Sequence, residues 1–122
     1  MVLRSPVVSR KISKNARISM RTIRSLAKII ADKFDPEEII LFGSHAYGKP
    51  HASSDVDFLV VMETPRGEVE TIFEISEALP YLPFRVDIIA RSREVIDRRK
   101  TQGDFFLREI TKKGRVLYAR GN

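Results

Sequence analysis

"LFGSHAYGKPHASSDVDFLVV", residues 41–61, starts and ends as a buried strand would, yet its middle holds two glycines, six hydroxyl or imidazole side chains and two aspartates. The apolar ends predict two short strands, "EIILF" at 38–42 and "VDFLVVM" at 56–62, the second rich in β-branched residues. Gly43-Ser44 leaves the first strand abruptly, ten residues intervene, and Asp55-Val56-Asp57 opens the next. The chemistry of this chain is to be sought in that turn.

Working outward, Met20, Ile23, Leu26, Ala27, Ile30, Ala31 and Phe34 recur at three- and four-residue intervals, which predicts an amphipathic helix with Ser19 as N-cap and Asp35-Pro36 as its end. Beyond the turn, 67–79 reads as a helix stopped by Pro80, and "FRVDIIA" (84–90) as a third strand. A helical segment from Ser92, another at 105–112 and a last strand "RVLYA" (115–119) follow. This order implies an α/β (α+β) fold, a small mixed β-sheet flanked by helices. Residues 19–122 form the expected single domain, and residues 1–18, which lack a sustained period, an arm expected to be flexible and dispensable for metal and nucleotide binding.

Composition removes several classes. No apolar run approaches the roughly 18 residues that suggest a membrane span, and the N-terminus lacks a secretory signal. There is no cysteine, so disulfides and thiolate metal sites are excluded and a cytoplasmic location is the default expectation. The formal charge of +6 is unevenly spread: residues 1–33 carry nine basic residues against one acid, the remainder thirteen against fifteen. A basic first third invites RNA, but it has no aromatic residue for stacking and also reads as a solvated face. Arg21, Arg24 and Lys28 would share one stripe of the first helix, suited to steering a partner.

In the turn, glycine lets the backbone approach a bound group because no Cβ intervenes, and Ser44 adds a hydroxyl; a short helix starting there would favour a phosphate. Asp55 and Asp57, two apart on a strand, project on one face. Carboxylates held so close repel unless a cation sits between them, and Mg²⁺ prefers carboxylate, phosphate and water oxygens. Asp87, between Val86 and Ile88, is a third acid in an apolar strand. The composite is a phosphate-holding turn beside a two-metal site, with Asp55 and Asp57 bridging the ions and Asp87 ligating one of them and serving as general base. Each piece alone has a plainer reading, as turn glycine, turn cap or edge-strand acid; the four requirements together are far more specific.

Gly43-Ser44, ten residues, Asp55-Val56-Asp57 and then Asp87 resemble the signature of the DNA polymerase beta-like nucleotidyltransferase superfamily, whose smallest members are the minimal nucleotidyltransferases (MNT). The likeness spans about residues 20–119, with "GRVLY" as a typical ending. It implies the polymerase beta-like fold, ATP or another nucleoside triphosphate on Gly43 and Ser44, and Mg²⁺ on Asp55, Asp57 and Asp87. It further implies a partner, a HEPN-family RNase toxin, whose tyrosine receives AMP so that the transferase acts as antitoxin. A binding antitoxin with an idle site, or a transferase for a small molecule such as an aminoglycoside or for RNA, are the alternatives. His45, His51 and Lys49 read as weaker participants, Tyr47 and Gly48 as loop-shaping residues, and Ser53-Ser54 as a cap for the turn. Arg85, beside Asp87 and on the opposite strand face, reads as structural, whereas Arg91 and Arg93 just past the strand could assist with phosphate.

Overall fold

A computed structural model describes residues 18–50 and 55–121. Helix α1 (Met20–Phe34) starts at Ser19, whose Oγ accepts the Thr22 N–H at 3.1 Å, and it turns Ile23, Leu26, Ala27, Ile30 and Ala31 inward. Arg21, Arg24 and Lys28 lie exposed on its other side, Lys28 paired with Asp32 at 3.0 Å. The helix stops at Asp35 with φ 45°, a left-handed conformation that Asp tolerates better than most residues. The cap is tied to the other end of the chain: Tyr118 Oη donates to Asp35 Oδ1 at 2.9 Å and Arg120 Nη1 to Asp35 O at 2.8 Å.

The chain continues as β1 (Glu38–Phe42), the one-turn α2 (Ser44–Tyr47), β2 (Val56–Val61), α3 (Glu68–Ala78), β3 (Val86–Arg91), α4 (Arg93–Thr101), α5 (Phe105–Lys113) and β4 (Arg115–Ala119). These bounds fall within two residues of the sequence expectation, which fits the general reliability of element ends. The four strands make one sheet in the order β3-β2-β1-β4. β1 is antiparallel to β2 and β4, and β2 is parallel to β3. Helix α3 makes the crossover that a parallel pair requires.

Side-chain alternation sends each strand to two cores. Ile39, Leu41, Phe58 and Val60 meet α1, and Ile75 of α3 joins them. Ile40, Phe42, Leu59 and Val61 meet Ile96 of α4 and Leu107 and Ile110 of α5. Both faces are therefore covered, which is why the strands read as nearly continuous apolar runs. Arg93 locks α4 to the start of β1 through Glu37 (3.1 Å) and Glu38 (2.6 Å). Among the described residues no helix is long and apolar enough to cross a membrane.

Gly114 is where α5 turns back into β4 against β1. A Cβ there would stand 2.5 Å from both Ile110 O and Ile40 Cγ2 and 3.0 Å from Leu41 O. Gly114→Ala should therefore push α5 and β4 off β1 and cost about 1–3 kcal/mol in urea unfolding; an unchanged midpoint would show that this junction yields freely.

Candidate active site

β2 and β3 run parallel with Asp57 directly opposite Asp87. In the neighbouring antiparallel pair, Phe42 stands opposite Asp57, so the end of β1 and Gly43 reach the same place. Asp55, two residues before Asp57, shares its side of the sheet. All three carboxylates project on the face of Leu59 and Val61, at the strand ends beyond the cover of α4 and α5, and each is half-buried. Three of the sequence-predicted features thus converge through strand pairing alone.

The price of this convergence falls on Asp57. Its carboxyl is pushed up from 3.8 to about 6, first by removal from water, then by the charges of Asp87 and Asp55 and by a hydrogen bond with Asp87. Ionising it is opposed by everything around it except a cation.

Gly43 closes the other side. Its φ of 78° and ψ of −157° belong to a region open essentially to glycine, and a Cβ would lie 2.4 Å from Asp57 Oδ2. The freedom of this glycine, expected to serve a bound phosphate, is already needed by the Asp57 carboxylate. Ser44 begins α2, whose turn closes through Ala46 N–H (3.0 Å) and Tyr47 N–H (3.1 Å) on Gly43 O and Gly48 N–H on Ser44 O (3.1 Å). Tyr47 lies exposed beside this turn with the Lys113 ammonium 6.0 Å from its ring centroid. Lys49 is exposed and His45 half-buried. His51, Ser53 and Ser54 fall outside the described residues, as does the arm up to residue 17.

Two expectations about arginines are corrected. Arg85 does not face away from Asp87: residues two apart on extended chain share a side, and its Nη2 donates to Asp87 Oδ1 at 3.1 Å while its Nε lies 3.9 Å from Asp55 Oδ2. The i, i+2 spacing in "RVD" carried this signal. Arg91 and Arg93, in contrast, are not near the carboxylates. Arg91 pairs with Val61 four positions further along the strands, about 13 Å away at strand rise. Arg91 serves Glu68 (3.7 Å) and Arg93 serves Glu37 and Glu38.

The donor set suits a hard divalent cation, because it is all carboxylate oxygen and because the repulsion at Asp57 is of the kind a cation relieves. As the side chains stand, no three His, Cys, Asp or Glu groups among the described residues converge on one ion position. Arg85 instead lies between two of the carboxylates, 3.1 Å from Asp87 Oδ1 and 3.9 Å from Asp55 Oδ2.

A four-stranded mixed sheet between two helical layers, with a glycine turn and carboxylates from two adjacent strands at one end, defines the class of phosphoryl-transferring α/β domains of nucleotidyltransferase type. The chain belongs to the nucleotidyltransferase domain family, whose model matches residues 23–118. Among solved structures it is similar to a candidate nucleotidyltransferase from Sulfolobus solfataricus, with 21% identity, 83% of this chain and 80% of that one covered and a TM-score of 0.58, a likeness of fold. The comparison with curated proteins gives no match. The mixed α/β fold expected from sequence is thereby shown, and nucleotidyl transfer is the activity of the family to which the chain belongs.

Two outcomes follow from the geometry. Below pH 3.8 Asp57 is protonated in folded and unfolded chain alike; between 3.8 and 6 the folded chain keeps a proton that the unfolded one loses; above 6 the folded state carries the full repulsion. Stability associated with this group is therefore present at low pH and lost as pH rises through about 6. In EDTA, Asp57→Asn should melt about 2–6 °C above wild type at pH 7.5, with the margin vanishing near pH 3.5; a lower melting point at pH 7.5 would mean that the carboxylate is not under repulsion.

The contact with Gly43 is separable by a double-mutant cycle. Gly43→Ala alone should cost about 2–4 kcal/mol, combining backbone strain with the clash. In the Asp57→Ala background the same change should cost about 1 kcal/mol less or better, since only the backbone term remains. Strict additivity would show that the carboxylate moves aside without cost.

Proposed function

We propose that this domain transfers AMP from ATP to a hydroxyl acceptor, the tyrosine of a partner HEPN-family protein, with Mg²⁺ held by Asp55, Asp57 and Asp87, and that this modification makes it the antitoxin of an RNase toxin. The observation that carries the catalytic part is the strand register that sets Asp57 beside Asp87 and against Gly43. The acceptor and the antitoxin role rest on the resemblance of Gly43-Ser44, Asp55-Val56-Asp57 and Asp87 to the minimal transferases.

In this reading Gly43 and Ser44 hold the triphosphate, and the carboxylates hold the ions and orient the acceptor. Bound divalent ions neutralise the phosphate charge and activate the attacking oxygen. Asp87 accepts the proton of the acceptor hydroxyl as its oxygen attacks the α-phosphorus. The new P–O bond forms in line with the bond that breaks, and pyrophosphate departs with its electron pair. Most of the catalytic work is positioning, so the half-buried, strand-held carboxylates are suited to it.

A protein acceptor is favoured over a small molecule by the surface. Val69 and Phe73, one helical turn apart on α3, are 82% and 58% exposed, a small apolar surface that a protein partner would cover. The basic stripe of α1 would steer such a partner if its facing surface is acidic.

ATP labelled at the α-phosphate, supplied with Mg²⁺ and a HEPN protein from the same genome, should leave its label on a partner tyrosine. ATP labelled at the γ-phosphate should not. Asp55→Asn, Asp57→Asn or Asp87→Asn should each lower transfer by about a thousandfold or more, while each variant still folds and unfolds cooperatively. Neutralisation of the toxin without label would favour the binding antitoxin, and label on RNA or a small molecule would replace the acceptor named here.

A further inference from the structure

The guanidinium of Arg85 has no place in the chemistry above, yet of the ion pairs among the described residues it forms the two that touch the proposed catalytic carboxylates, at 3.1 Å to Asp87 and 3.9 Å to Asp55. It stands where a cation is called for. Its side chain is 76% exposed, so the pairs are screened by water and readily given up. The backbone beneath it is fixed independently, since Arg85 O accepts the Val56 N–H at 3.0 Å and continues the parallel ladder. The side chain can therefore leave without disturbing the strands.

An ion entering between Asp55, Asp57 and Asp87 competes with this guanidinium for the same carboxylate oxygens. Once released, the side chain remains tethered at the mouth of the site, where a triphosphate would present anionic oxygens matched to its fork of donors. We propose that Arg85 holds a cation's place between Asp55 and Asp87 until a divalent ion displaces it, and that a bound triphosphate then takes the freed guanidinium, so that ion and nucleotide bind cooperatively. Arg85 is on this account a positioning residue. The proposal rests on the metal-site reading given under Proposed function.

Mn²⁺ binding followed by electron paramagnetic resonance tests it on the full chain, with and without α,β-methylene-ATP, in wild type, Arg85→Gln and Arg115→Gln. Arg115 is an exposed cation at the same end of the sheet, opposite Leu41, and reports the effect of net charge alone. Without nucleotide, Arg85→Gln should bind Mn²⁺ about threefold to tenfold more tightly, while Arg115→Gln should stay within about twofold of wild type. The gain in Mn²⁺ affinity that the nucleotide analogue produces in wild type should shrink in Arg85→Gln and persist in Arg115→Gln. Equal Mn²⁺ affinity in wild type and Arg85→Gln, an equal shift in both variants, or an undiminished nucleotide effect in Arg85→Gln would each overturn the proposal while leaving the metal site standing. No Mn²⁺ binding by any of the three proteins would overturn the metal-site reading and this proposal with it.

Discussion

Parallel strands cannot be joined by a tight turn; the crossover through α3 brings β3 beside β2, in a register that puts Asp57 opposite Asp87. Adjacent strands lie about 4.8 Å apart, so two side chains at the same level on the same face are held within reach of each other whatever their charge. Shifting that register by one residue would send Asp87 to the opposite face, among Ile88 and Ala90 and the helices α1 and α3. The site exists because apolar burial elsewhere in the strands forbids the shift.

That burial is ample. Phe58, Leu59, Val60 and Val61 are fully buried, feeding the two cores alternately, and together they fix β2 far more firmly than three half-buried acids can loosen it. The repulsion is local and confined to the strand ends, where water still reaches and where a cation could enter. Gly43 extends the same principle to β1. Its unusual backbone conformation and missing Cβ leave space for the Asp57 carboxylate, so the turn and the acid pair form one unit. Helix α2 then follows directly on the turn, starting at Ser44 without any long loop.

At the opposite end of the sheet the charges are arranged differently. Arg93 meets Glu37 and Glu38, Arg91 meets Glu68, and Asp35 gathers Tyr118 and Arg120, so acids there are matched by nearby donors that join α1, α4 and the chain end to the sheet. At the carboxylate end, among the described residues, Asp55 and Asp87 pair with one exposed guanidinium, that of Arg85, and Asp57 forms no ion pair.

Much of this was legible in the chain itself. The period of Ile23, Leu26, Ala27 and Ile30 specifies α1, the Asp55-Val56-Asp57 alternation specifies one shared face, and the apolar runs on either side of the turn specify β1 and β2, because each depends only on neighbours in sequence. Even the closeness of Arg85 to Asp87 is written in their i, i+2 spacing. What sequence could not supply was anything set by pairing between distant segments: that Gly43 makes room for Asp57, that Asp87 stands level with Asp57, that Arg85 reaches Asp55, or that Arg91 and Arg93 sit a strand's length from the site. Those relations depend on strand order and register, which the packing of two cores decides and no local pattern encodes.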